Sequence, residues 1–199
     1  LQKNTYKNFF LTNDYVSKLI DNLRISSINN LNLNKNIKIL HITNLNERFD
    51  GRLHYNTGKR ITNGFIRLGH NVLSLSDRDT ISLNKSITDI SGIKSLNNKI
   101  YNTVNNFRPD LIVLGHADNV TTETIIKIKK LYRPKICQWF LDPLIKNGPD
   151  FSKNKQRITH LDKIIDCTFV TTHPSDIIFK IKNSYFIPNP CDKSFETLN

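Results

Sequence analysis

The chain has 199 residues, enough for one domain or one and a half and ample for a full hydrophobic core. Apolar residues make up 38% and charged residues 23%, which excludes a wholly disordered chain. Lys and Arg number 29 against 17 acids, and the resulting +12 favours anionic partners: nucleic acid, a phosphorylated ligand or an acidic membrane surface.

Most of that charge is dispersed lysine, so a solvated basic surface accounts for it equally well. The 26 Asn and 26 Ile fit an AT-rich coding sequence rather than a fold signal. The longest apolar stretches, near Leu111–Leu114, fall far short of the roughly 18–20 residues of a membrane span. No charged-then-apolar leader opens the chain. Cys137, Cys167 and Cys191 are odd in number and lack metal spacing, and the first two sit in apolar runs. They read as reduced, mostly buried thiols of a cytoplasmic protein. A start at Leu1 and the absence of Met lead to the expectation of a partial product.

In chain order, residues 1–36 form an Asn-rich extension in which Tyr15, Leu19, Ile20 and Leu23 suit one amphipathic helix capped by Asn13 or Asp14. Ser26–Asn36 reads as a polar linker. From Ile37 the pattern alternates. Ile37–Thr43 is a β-branched run suited to a buried parallel strand, and Asn44–Thr57 is a long polar and aromatic loop. A helix from about Gly58, with Ile61, Phe65, Ile66 and Leu68 facing inward, stops at Gly69 before strand Val72–Ser76. Residues 80–92 remain ambiguous. A helix over Ile93–Asn106 precedes strand Leu111–Leu114. Thr121 or Thr122 starts a helix to Leu131, and strand Lys135–Phe140 follows Pro134. Leu161–Ile165 closes a further helix, Cys167–Thr171 is a strand, Ser175–Ile181 is a short helix, and Tyr185–Ile187 is the last strand. Six strands with intervening helices predict an α/β fold, a doubly wound parallel sheet over 37–190, with 191–199 as a stub.

In such sheets ligands bind beyond the carboxyl ends of the strands. The residues at those exits are Asn44–Thr57, Asp77-Arg78-Asp79, Gly115–Asp118, Asp142-Pro143 and Thr172-His173-Pro174, and polar groups concentrate there. No GxGxxG follows the first strand and no GxxxxGK[ST] occurs, which disfavours an ordinary NAD dehydrogenase. Gly58 and Lys59 open a helix whose free N–H groups could hold a phosphate or sugar, or merely cap it. His116 and Asp118 could serve as proton acceptor and orienting carboxylate, or as an ordinary turn with a packed imidazole. Trp139, just before Asp142, reads as a core aromatic or a stacking surface for a sugar ring. His70 and His173 read as structural. Zinc spacing and a GxSxG elbow are missing, and the nucleic-acid reading rests on charge alone.

Taken together, Ile37–Thr43, the run Gly58–Val72, Pro109–Asp118, Phe169–Thr172 and the closing Ile187-Pro188-Asn189-Pro190-Cys191-Asp192 resemble the N-terminal half of a GT-B glycosyltransferase of the family-1/family-4-like or CgeB-like group. The resemblance covers about residues 37–192. It implies a Rossmann-like acceptor-side domain and transfer from a nucleotide sugar to a glycan or lipid-linked hydroxyl. A nucleotide-sugar co-substrate is implied, with no cofactor or metal. It places His116 beside the reacting sugar and makes the loop Arg48–Tyr55 an acceptor contact. The expected site is therefore His116 and Asp118, with Arg48, Arg52, Tyr55, Gly58, Lys59, Asp142 and Trp139 binding substrate. The donor-binding half is absent, so a partner chain or further domain would supply it. The expected location is cytoplasmic, with peripheral association at an anionic inner membrane face. The competing expectation is a non-catalytic binding domain of the same fold.

Overall fold

The computed structural model describes residues 36–195. The helix expected around Tyr15–Leu23 and its linker lie outside the described residues. Six parallel strands form one sheet: β1 (Lys38–Thr43), β2 (Asn71–Ser76), β3 (Leu111–Gly115), β4 (Lys135–Phe140), β5 (Cys167–Val170) and β6 (Ser184–Phe186). Their order is β2-β1-β3-β4-β5-β6, so the winding direction reverses between β1 and β3. In register, Thr43 of β1 lies beside Gly115 of β3, and Gly115 beside Trp139 of β4. The fold is the α/β, Rossmann-like sheet that the alternating pattern predicts.

The strands are near-continuous apolar runs because both faces are covered. On one face Leu40, Ile42, Ile112, Leu114 and Ile136 pack with Leu96, Ile100 and Val104 of α3 (Ile93–Phe107) and Ile125 and Ile128 of α4 (Thr122–Tyr132). On the other, Ile39, Val113, Cys137, Trp139 and Cys167 meet Ile61 and Phe65 of α1 (Thr57–Arg67). Each fully buried Ile or Leu stabilises by about 1.5–3 kcal/mol. A third cluster joins Phe140, Leu144, Val170 and Ile181 to Ile158 of α5 (Phe151–Thr159).

Local signals explain most boundaries. The Asn56 side chain accepts from Lys59 N and caps α1, and Gly69, at φ 84°, ends the helical segment with its N–H bonded to Ile66 O. Thr121 caps α4 by accepting from Thr124 N. Three expectations need correction. Ile66 and Leu68 are exposed rather than inward, because Ile66 is rotated away from the Ile61–Phe65 face and Leu68 is the C-cap. Asp77-Arg78-Asp79 does follow β2 directly and forms the first turn of a short helix, α2 (Asp77–Leu83), which runs into the ambiguous stretch. Leu161–Ile165 is a lone turn after α5 ends at Thr159; one Ile165 N to Leu161 O bond satisfies the apolar i, i+4 spacing without a helix. Ser175–Ile181 is helical only over the 3₁₀ turn Pro174–Asp176. Beyond it Ile177, Phe179 and Ile181 pack inward while Ile178 is exposed, a two-residue alternation that belongs to extended chain.

Candidate functional site

A cavity of ≈ 380 Å³ opens at the reversal point, beyond the carboxyl ends of β1, β3 and β4. Two glycines make room for it. A Cβ on Gly115 would overlap the indole of Trp139, and one on Gly58 would sit 2.7 Å from Thr43 Cγ2. The first turn of α1 and the end of β3 thus both close on Thr43 in a way that excludes larger residues. Trp139 is almost fully buried beneath them and donates from Nε1 to His41 Nε2 at 3.0 Å. His41 in turn donates from Nδ1 to Thr62 Oγ1 at 2.8 Å, which fixes its tautomer. Burial lowers the His41 pKa to about 3, so the imidazole under the cavity is neutral.

The polar wall centres on Arg157, which projects from α5. Its guanidinium meets Asp142 Oδ2 at 2.6 Å and Asp118 Oδ2 at 2.9 Å, and its face lies 5.3 Å from the Phe140 ring centroid. Arg78 approaches Asp118 from α2 at 3.8 Å. His116 lies against this array, stacked on Phe140 with centroids 4.7 Å apart. Its Nε2 accepts from Leu141 N at 3.1 Å, and a neutral ring bonded in this way carries its proton on Nδ1. That nitrogen is 3.6 Å from Asp142 Oδ2 and 3.0 Å from Arg157 Nη2. A neutral ring accepts at one nitrogen only, so the Leu141 N–H and the Arg157 guanidinium compete for His116, while Asp142 Oδ2 lies beside Nδ1 but beyond hydrogen-bond distance. Burial lowers the His116 pKa, and the Asp142 charge opposes that shift more strongly than any other group. His116 also has φ 51°, a left-handed conformation uncommon outside glycine.

Of the residues expected at the site, His116, Trp139, Gly58 and Asp142 line this cavity. Asp118 lies behind it and is tied in through Arg157. Arg48, Arg52, Tyr55 and Lys59 do not line it. Arg48 pairs with Asp79 at 2.8 Å, and Arg48 and Arg52 both sit over the Phe49 ring. Asp79 also accepts from the N–H groups of Glu47 and Arg48 and from Ser76 Oγ, so it anchors the loop after β1 to α2. Burial works against the Asp79 carboxylate, but these donors prevail and hold its pKa below the ordinary value. Asn44, Asn56, Thr57 and Arg78, all within the strand exits read from the sequence, also line the cavity, as does Arg157, which was not singled out. Arg157 had no local signal: it sits in a polar helical stretch, and only the fold brings it to Asp142 and Asp118. Asp192, the last residue of the closing motif, is a structural tie. It accepts from Asn63 at 2.9 Å and pairs with Arg67 at 2.8 Å, both on α1, and Ser194 holds its carboxyl well below the carboxylate range.

Among the described residues no group of three His, Cys, Asp or Glu is placed to hold a metal ion, and no helix is long and apolar enough to cross a membrane. No family model matches the sequence, and no curated protein matches it. Among solved structures the chain is similar to the glycosyltransferase SnogD from Streptomyces nogalater, at 15% identity and a TM-score of 0.39. That similarity covers 71% of this chain and 47% of the other, so this chain spans about half the length of the protein it matches.

Proposed function

We propose that this domain is the acceptor-side half of a glycosyltransferase. In the reaction an acceptor hydroxyl oxygen bonds to the anomeric carbon of a nucleotide sugar as the bond from that carbon to the diphosphate breaks. The nucleoside diphosphate leaves, and the hydroxyl proton passes to a base. Such transfer needs positioning and charge stabilisation rather than a covalent protein group. The observation that carries the reading is the cavity at the strand reversal. One carboxylate, one neutral imidazole, two guanidinium groups and the start of α1 converge there on a space large enough for a sugar ring. Asn44, Asn56 and Thr57 add the amide and hydroxyl groups that suit a polyhydroxylated ligand.

Within this reading Asp142 and His116 act as a pair. His116 becomes a base at Nε2 only when the Leu141 N–H is released; otherwise it orients Asp142, and Asp142 meets the hydroxyl. The donor nucleotide would be held by a partner chain or a further domain. The deciding assay measures transfer and hydrolysis with a panel of nucleotide sugars, using this chain and the complete gene product. Activity that falls with Asp142→Asn supports the reading. A complete product that binds saccharides but turns over no donor would make the domain a binding module instead.

A further inference from the structure

A second feature lies outside the cavity. Between α2 and α3 the chain makes a tight turn in which Ser86 and Asp89 exchange backbone hydrogen bonds at 3.1 Å in both directions. Asp89 also fixes the start of α3: its carboxylate accepts from Ser95 N at 2.7 Å, in the first turn of that helix, and from Ser91 Oγ at 3.2 Å. The turn is therefore built, not loose. What it displays is apolar. Ile87 is 97% exposed, Ile90 80% and Leu83 80%. Three large aliphatic side chains in eight residues, Leu83 at the end of α2 and Ile87 and Ile90 in the turn after it, face water, and the one acid among them is bonded to Ser91 and Ser95.

The charge around them is net positive, two lysines against one acid. Segment 83–94 carries Lys85 and Lys94, and its sole acid is Asp89. Lys99 follows on α3, in a chain of net charge +12. Side chains exposed to this degree are free to insert into an apolar phase. The position of α3 is also defined. Asn97, on α3, donates to Asn119 O and accepts from Thr121 N, both at 2.9 Å. The first turns of α3 therefore abut the loop beyond His116 and Asp118.

We propose that Leu83, Ile87 and Ile90 enter the interfacial region of an anionic lipid bilayer, with Lys85 and Lys94 at the headgroup level. The apolar side chains supply burial, and the lysines supply the attraction to anionic lipid. The surface is independent of the transferase reading, because it is tested by binding and not by turnover.

The test is sedimentation of the 199-residue chain with vesicles of pure phosphatidylcholine and of phosphatidylcholine with 30% phosphatidylglycerol, at low and high salt. The expected result is binding to the anionic vesicles only, weakened by salt. In Ile87→Ser/Ile90→Ser the partition coefficient falls about tenfold, and in Lys85→Glu/Lys94→Glu it also falls about tenfold. These side chains are exposed, so circular dichroism of both variants should match that of the parent. Anionic binding that persists unchanged in the Ser variant overturns the proposal, as does an absence of binding to anionic vesicles. Concentration-dependent self-association abolished by Ile87→Ser, without vesicle binding, would overturn it in favour of a contact between copies of the chain.

Discussion

At the residue scale, His116 has an unusual combination of constraints. Its backbone is left-handed, its ring is stacked on Phe140, and both nitrogens face fixed partners. A base and a spacer predict different substitution patterns. If, in the proposed transfer reaction, Nε2 takes the acceptor proton, His116→Ala and His116→Gln should both lower kcat/KM by about 10²–10⁴-fold. If the ring orients Asp142 and satisfies Leu141 N, glutamine, which still offers an acceptor oxygen, should restore most of the activity lost in alanine. Steady-state kinetics on the two variants decides between them. Burial also places the imidazole titration below its usual value near 6.5, which NMR of the ring protons would read directly. Asp77 presents the opposite case. It is fully buried, and neither carboxylate oxygen has a well-formed hydrogen bond. Burial raises its pKa to about 6, with the neighbouring Arg78 tempering the shift. Because the native state holds this proton more tightly than the unfolded chain, its contribution is fully present below about pH 4 and is lost as pH rises through about 6. The loss is roughly 3 kcal/mol from a shift of about two units. Asp77→Asn should therefore stabilise the protein above pH 7 by about 1–3 kcal/mol and change little at pH 4, as measured by urea unfolding at the two pH values.

At the element scale, the site depends on close approach of backbone. The α1 terminus is fixed by Asn56, which accepts from Lys59 N and donates to the carbonyls of Leu45 and Leu53 at 2.9 Å. One side chain thus caps a helix and pins the loop after β1. Asn56→Ala should cost about 1–2 kcal/mol in chemical denaturation, more than an ordinary cap alone. On the neighbouring strand, Gly115→Ala would force its Cβ against Trp139 and Thr43. Overpacking of that kind costs typically about 1–3 kcal/mol. Because Trp139 also donates to His41, the displacement should appear as a change in tryptophan fluorescence together with a lower melting temperature. Gly51→Ala, with nothing near its Cβ but φ 86°, separates crowding from backbone strain.

For the whole molecule, the neutral buried histidine sets the acid limit. The His41 pKa of about 3 lies below the unfolded value, so its contribution is present above about pH 6.5 and drains away as pH falls toward 3. Asp77 acts in the other direction between about pH 6 and 4. Denaturation midpoints should accordingly fall gently from pH 7 to 4.5 in the parent chain and more steeply in Asp77→Asn, where only the histidine part remains. Parallel profiles in parent and variant would contradict the Asp77 assignment, and a variant whose midpoint does not fall between pH 7 and 4.5 would contradict that of His41. The chain's return to α1 at its other end is held by Asp192 with Asn63 and Arg67. Asp192→Ala should lower the melting temperature without altering the cavity.

Much of this fold is determined locally. The β-branched runs, Gly69, the Thr121 cap and Pro134 each act over a few residues, so the strands, α1, α3 and α4 can be read from spacing alone. The strand exits, and with them His116, Asp142 and Gly58, follow from the rule that places ligands at the carboxyl ends of parallel strands. Where local signals are short, the sequence misleads: Leu161–Ile165 has helical spacing satisfied by one turn, and Ser175–Ile181 alternates with the period of extended chain. The members of the site that come from afar could not be read at all. Arg157 stands 41 residues from His116 and 39 from Asp118, and Asp79 32 from Glu47; their partners are chosen by strand order and by which helix covers which face. Arg48 is expected at the acceptor from the resemblance, and its ion pair with Asp79 carries no mark in the sequence because the two residues meet only through tertiary packing. Secondary structure is a property of neighbours along the chain, whereas the charge and protonation of a site are properties of neighbours in space.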